Sequence, residues 1–192
     1  MTPYKKKKRK ERIQKMLPVF KKMFPNPISE LNYTTDFEFL VAVILSAQCT
    51  DKRVNIVTKK LFKKYPTIKD YANARLKECE QDIYSTGFYR NKAKNIIAAA
   101  QMVLEEFNGV LPKNLKDLEK IPGAGHKTAN VVLSNLYNIH EGIAIDTHAI
   151  RISRKFDLVD PPYTPVSIEK DLMEITPKEE WGNMNHYLVL YG

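Results

Sequence analysis

The sequence predicts an all-α fold, and three observations carry that expectation. Apolar residues recur at helical spacing in one segment after another, no extended run alternates with a period of two, and capping residues and Asn-Gly or Pro stops punctuate the segments. The chain has 192 residues, 43% of them hydrophobic, enough for one sizeable core or two small domains sharing a seam. No repeat with a period of roughly 20 to 50 residues is visible, and no Gly/Ser linker divides the chain, so a second domain is expected to pack tightly against the first.

Taken in order, Ile13, Met16, Leu17, Phe20, Met23 and Phe24 form the first helical pattern. Pro18 is expected to kink or restart that helix, and Pro25-Asn26-Pro27 to stop it. Thr35 or Asp36 can cap a second helix, Phe37 to about Ala47, whose all-round hydrophobicity predicts burial at the centre of the fold. Its end delivers Ser46, Gln48, Thr50 and Asp51; Val54, Val57, Leu61 and Phe62 then continue at helical spacing up to Pro66. A short helix is expected around Tyr71 to Cys79, followed by a turn at Gly87-Phe88-Tyr89. From Asn91 to Phe107, residues Ile96, Ile97, Ala100, Val103, Leu104 and Phe107 mark a long amphipathic helix, stopped by Asn108-Gly109. Asn114, with Asp117 three residues on, caps a short helix lined by Leu115, Leu118 and Ile121.

Bulk properties exclude several classes. The longest apolar run, Phe37 to Cys49, contains Glu38 and falls short of the roughly 18 residues of a membrane span. The basic N-terminus lacks the apolar segment and cleavage site of a secretory signal. Cys49 and Cys79 have neither disulfide-framework nor zinc-ligand spacing, and no metal site is expected; a reducing intracellular compartment fits, whether cytoplasm, nucleoid or nucleus. Net charge is +9, of which residues 1–15 carry +7 through Lys5, Lys6, Lys7, Lys8, Arg9, Lys10, Arg12 and Lys15 against Glu11. Such a tail can raise affinity for a polyanion by counterion release. A solvated disordered tail without a specific partner and a nuclear localisation signal are equally open readings of the same residues.

The most informative stretch is IPGAGHKTANVVLSNLYNIHEGIAIDTHAIR, residues 121–151. A helix ending at Ile121, the turn Pro-Gly-Ala-Gly and a helix from about His126 to Tyr137 make a helix-hairpin-helix. Gly123 and Gly125 are expected to supply positive φ values and to leave N–H groups accessible at the start of the second helix, where a phosphate is favoured. A plain αα-corner is the competing reading of the glycines, and a phosphate-contacting lysine that of Lys127. Asp146 would ordinarily be an N-cap.

The IPGAGHKTANVVL and AIDTHAIR segments resemble the catalytic core of the endonuclease III family of DNA glycosylases, in the helix-hairpin-helix superfamily. ILSAQCTD at 44–51, STGFYRNKAKNI at 85–96 and HYLVLYG at 186–192 match in order. The resemblance, spanning residues 28–192, implies a six-helix barrel-like domain over 28–136, a second helical domain from 1–27 plus 137–192, and a DNA-binding cleft between them. It further implies a base excision repair glycosylase and abasic-site lyase working as a monomer on double-stranded DNA with a damaged base or abasic site. Oxidised pyrimidines are the expected substrates; a mismatch or photodimer glycosylase, or a non-catalytic DNA-binding module, are the alternatives.

By the same resemblance, Lys127 attacks the sugar C1′ as a free amine and forms a Schiff base that permits β-elimination. Asp146 stabilises the developing sugar cation. The target nucleotide must leave the stack, so Gln48 is the expected plug and the Gly87–Asn91 turn a second wedge. Gln48, Gly87, Tyr89, Asn91, Gly123, Gly125, His126 and Thr128 are thus the DNA-binding candidates. His126 stands where relatives often carry Arg. His148 reads as hydrogen-bonded scaffold, and Asp51 as a pocket-edge support or N-cap. Typical members continue into a loop whose four cysteines hold a 4Fe-4S cluster. Those ligands are absent here, so no cofactor is expected in this chain; either it is a cluster-free relative or, the favoured expectation, the sequence is truncated before the loop.

Overall fold

The computed structural model describes residues 1–25 and 29–191, and among these every regular element is helical. The expected 27/28 domain boundary, the Asn26-Pro27 part of the first stop and Gly192 of the HYLVLYG motif lie outside the described residues. The chain folds as two compact units, Met1–Ser29 with Asn138–Gly192, and Glu30–Tyr137. No helix among the described residues is long and apolar enough to cross a membrane.

The Glu30–Tyr137 unit is built on α2 (Asp36–Ser46). Thr35 caps it in a reciprocal box: its hydroxyl accepts from the Glu38 N–H, and the buried Glu38 carboxylate accepts from the N–H groups of Thr34 and Thr35. All residues from Phe37 to Leu45 are buried, as the run of apolar side chains requires. Around α2 pack α3 (Asp51–Lys64), α6 (Tyr89–Glu106) and α8 (His126–Tyr137). The single helix expected near residues 71–79 is instead two, α4 (Ile68–Ala72) and α5 (Leu76–Asp82). Thr67, boxed with Asp70, starts the first of these, and Asn73 ends it before the second begins at Leu76, a break that periodicity alone cannot register. After α6 the chain reverses through left-handed Asn108 and Gly109, and α7 (Leu115–Leu118) starts at Asn114, whose side chain accepts from the Asp117 N–H.

In the other unit, α1 (Pro3–Met23) runs through Pro18 without a second start, so the expected restart does not occur. It begins at Pro3, capped by Thr2, which makes the basic run helical rather than a disordered tail. Ile13, Leu17 and Phe20 enter a core with Ile152 of α9 (Thr147–Lys155), Ile168 and Leu172 of α10 (Pro165–Ile175), and Met184 and Tyr187 of α11 (Trp181–Tyr191). Arg9 is buried: its guanidinium donates to the carboxylates of Asp157 and Asp160 and to the carbonyls of Asp157 and Val159. Lys5 pairs with Asp160, Lys6 with Glu174 and Arg12 with Asp157.

Candidate functional site

The hairpin forms between α7 and α8. The Ala124 N–H donates to the Ile121 carbonyl at 2.9 Å, and the Gly125 carbonyl accepts from Ala129 at 2.9 Å, placing Gly125 at the N-cap position of α8. The two glycines do different work. Gly123 has φ +83°, and a Cβ there would stand 3.0 Å from Cβ of Asn95 and 3.1 Å from Cδ1 of Ile44, so it serves both conformation and close approach to α6 and α2. Gly125 does not have the expected positive φ, and a Cβ there would meet nothing within 4 Å. Its lack of a side chain leaves the start of α8 open to approach from outside.

Lys127 is exposed in the first turn of α8, with Thr128 half-buried behind it. The electric field of Lys127 reaches Asp51: burial and Glu30 push the Asp51 carboxyl above its ordinary pKa, and Lys127 opposes that rise. The lysine and the start of α3 therefore share one electrostatic neighbourhood. Asp51 is not the cap of α3; the Thr50 hydroxyl accepts from the Arg53 N–H at 3.3 Å and leaves the Asp51 carboxyl to face its charged neighbours. His126 is turned toward the protein. Its Nδ1 is paired with the Glu119 carboxylate and its Nε2 lies 3.2 Å from the Asn130 amide nitrogen, so both ring nitrogens have partners in the protein.

Gln48 is exposed and left-handed, with φ 55°. That conformation costs a non-glycine residue about 1 kcal/mol and is a mark of sites held by their surroundings. The turn before α6 has the same character: Gly87 has φ 70°, Phe88 has φ 48°, and the phenyl group of Phe88 is 65% exposed. The expected Gly87–Asn91 wedge includes Phe88 only as part of a range; its exposure singles it out. Asn91 is exposed on the first turn of α6. Tyr89 packs its ring 4.8 Å from that of Tyr84, under the Arg90 guanidinium, beside an open hollow also lined by Lys77, Glu80 and Gln81. Lys127 does not border that hollow.

Asp146 and His148 belong to the other unit. Asp146 is half-buried and caps α9, its Oδ1 accepting from the Ala149 N–H at 2.8 Å. Two interactions pin the extended segment that leads to it. Buried Glu169 accepts from the Ile143 N–H at 3.1 Å, and buried Asn185 donates to the Ala144 carbonyl at 2.6 Å. Burial lowers the pKa of His186, with the Asp146 carboxylate acting against that, so this histidine lies within electrostatic reach of Asp146. Glu169, Asn185 and His186 were not singled out from sequence; their link to residues 143–146 spans more than twenty positions and leaves no periodic signal. His148 is exposed, with Nδ1 3.3 Å from the Arg151 guanidinium, a weaker scaffold than expected.

A 4Fe-4S cluster takes four thiolates. Of the two cysteines in the chain, Cys79 is wholly buried with its thiol pushed up to about 11 by burial, and Cys49 is partly buried beyond α2. Among the described residues no group of three or more His, Cys, Asp or Glu could hold a metal ion. The residues present do not fit the cluster.

The family model for the HhH-GPD superfamily of base excision DNA repair proteins matches residues 41–178. Endonuclease III of Synechocystis sp. is 42% identical over 96% of this chain and 84% of its own length, and that of Bacillus subtilis 45% identical over 88% and 77%. A trapped endonuclease III–DNA covalent intermediate, in an estranged-adenine complex, superposes with a TM-score of 0.90 at 45% identity, covering 95% of this chain and 85% of that one. A thermostable thymine-DNA glycosylase shares the fold, with a TM-score of 0.80 at 18% identity. The chain belongs to the HhH-GPD superfamily of base excision DNA repair proteins and, within it, to the endonuclease III family.

Proposed function

We propose that this protein is a base excision repair DNA glycosylase with abasic-site lyase activity, and that it removes oxidised pyrimidines from double-stranded DNA. One observation carries the reading: Lys127 stands exposed in the first turn of α8, directly behind a hairpin whose backbone approach is unobstructed at Gly125. The first N–H groups of a helix have no acceptor inside it and favour a phosphate oxygen there. A lysine placed one residue into that turn is suited to reach a sugar whose phosphate the hairpin holds.

In this reading the free amine of Lys127 attacks C1′, and the bond from C1′ to the base breaks with its electron pair leaving on the base, which takes up a proton. The attached nitrogen then gives up a proton and the C1′–O4′ bond breaks, its electron pair staying on O4′, which takes up a proton, so that the opened sugar is held as a Schiff base; loss of a C2′ proton then expels the 3′ phosphate. Asp146 supplies the carboxylate that stabilises positive charge on the sugar. Gln48 and the Gly87–Asn91 turn, with the exposed Phe88, fill the space left by the flipped nucleotide. Gly123, Gly125, His126 and Thr128 form the backbone grip; since both ring nitrogens of His126 are engaged within the protein, its share falls to the main chain. With Cys49 and Cys79 alone, these 192 residues cannot ligate a 4Fe-4S cluster through four thiolates, and the reaction is written with protein side chains only.

The test is borohydride trapping on duplex DNA bearing an abasic site. Wild-type protein is expected to form a covalent adduct and Lys127→Ala none; trapping that survives Lys127→Ala undiminished would sink the assignment. A panel of duplexes carrying oxidised pyrimidines, mismatches or photodimers then reads the substrate class directly, with excision of the oxidised pyrimidines expected.

A further inference from the structure

Lys92 lies on α6, three residues beyond Tyr89, yet it is 5% exposed. Its ammonium donates to three main-chain carbonyls, those of Leu45, Ala47 and Thr86, each at 2.8 Å. An ammonium has three donors, and here all of them are used. Burial draws the pKa of Lys92 down, and nearby Cys49 acts in the opposite sense. Three carbonyl dipoles aimed at one nitrogen favour the charged form and work against that lowering.

The choice of acceptors is the informative part. Leu45 and Ala47 lie at the end of α2, where carbonyls lack helical partners, and Ala47 immediately precedes Gln48. Thr86, itself buried, immediately precedes Gly87 and Phe88. One cation therefore joins the two segments that present left-handed, exposed Gln48 and Phe88. Each of those backbones persists only if its surroundings hold it.

We infer that Lys92 is a positioning residue for base excision, a buried clamp that fixes the Gln48 loop and the Gly87–Phe88 turn relative to each other so that both can enter the gap in the duplex. The inference rests on the gap-filling role proposed above. Lys92 itself touches no DNA. Its contribution is confined to substrates in which a gap must be filled, and this separates it from a residue that merely supports the fold.

The experiment compares two substrates for wild type and Lys92→Met, whose thermal unfolding is followed alongside. Excision of a damaged base from duplex DNA is expected to fall at least about tenfold, since a displacement on the order of 1 Å is enough to cost that much. Borohydride trapping on a single-stranded abasic oligonucleotide, where no gap exists, is expected to stay within about twofold of wild type. In a Gln48→Ala/Phe88→Ala background the same substitution should cost little more, because the groups it positions are already gone. Equal losses on both substrates, or an undiminished penalty in that background, would overturn the proposal. Should Lys92→Met not fold, Lys92→Arg carries the same expectation, because a guanidinium spreads its donors over three nitrogens. A wild type that traps neither substrate overturns the Lys127 reading and this one together; a wild type that traps both, with Lys92→Met losing both alike, overturns this one alone.

Discussion

In the proposed reaction Asp146 combines two tasks in one carboxylate, and the two can be separated by substitution. As the cap of α9 it needs an oxygen that accepts from the Ala149 N–H, a need that Asn meets as well as Asp. As the group facing a developing sugar cation it needs the charge, which Asn lacks. Asp146→Asn is therefore expected to change unfolding free energy by less than about 0.5 kcal/mol while slowing single-turnover excision about 100-fold. Asp146→Ala should show the same kinetic loss plus about 1 kcal/mol of destabilisation, read by denaturant unfolding. An Asp146→Asn variant with wild-type turnover would leave the residue with capping alone. Lys127 and Asp146 were singled out in sequence because they fall inside the IPGAGHKTANVVL and AIDTHAIR segments. What was not legible is how each is supported. Thr50 and Asp51 are both good caps by type, and only the backbone decided that Thr50 takes the N–H and Asp51 the electrostatic neighbourhood of Lys127.

At the level of elements, the hairpin glycines make a paired prediction. Gly123→Ala forces an L side chain into φ +83° and drives its Cβ to 3.0 Å from Asn95 and 3.1 Å from Ile44. Strain and overpacking together are expected to cost about 2 kcal/mol or more. Gly125→Ala meets no neighbour and should cost less than about 1 kcal/mol, the loss of replacing Gly by Ala at an N-cap position. Its affinity for an abasic duplex should nevertheless fall about tenfold, as expected when one charge-assisted hydrogen bond to a phosphate is obstructed. Fluorescence anisotropy together with thermal unfolding distinguishes the two variants, and a Gly125→Ala protein with unchanged affinity would remove that glycine from the backbone grip. The contrast also marks what sequence can convey about an element. The long helix α6 follows from its periodicity and stop, and α2 from its unbroken apolar run, because one-sided or complete burial sets the pattern. The division into α4 and α5 and the unbroken course of α1 past Pro18 are settled by packing and local caps, which the same pattern does not encode.

Across the whole molecule, the sum of charge was legible and its disposition was not. Of the eight cations in residues 1–15, Lys5, Lys6, Arg9 and Arg12 are engaged with Asp157, Asp160 or Glu174, more than 140 positions away in the chain. These carboxyls are held low by their partners, Asp160 at about 2, chiefly through Lys5 and then Arg9. A carboxyl whose folded pKa is depressed contributes stability that is complete above its unfolded value, near 4, and lost as pH falls toward the folded one. Burial of His186 works in the same direction, since a histidine held neutral in the folded state must charge in acid. All four groups lie in the unit formed by Met1–Ser29 and Asn138–Gly192, so that unit should respond most strongly to acid. Arg9→Met isolates the ionic part: it removes the buried guanidinium and keeps an apolar stem for the core. At pH 7 the substitution is expected to cost about 1–2 kcal/mol, because the partner carboxylates retain access to water. Between pH 5 and 2.5 that deficit should shrink, as the carboxyls that Arg9 stabilises become protonated in wild type too. Thermal unfolding of both proteins across that range measures the difference directly. A deficit independent of pH would mean that Arg9 holds α1 in place through its bonds to the Asp157 and Val159 carbonyls, with the carboxylates contributing nothing.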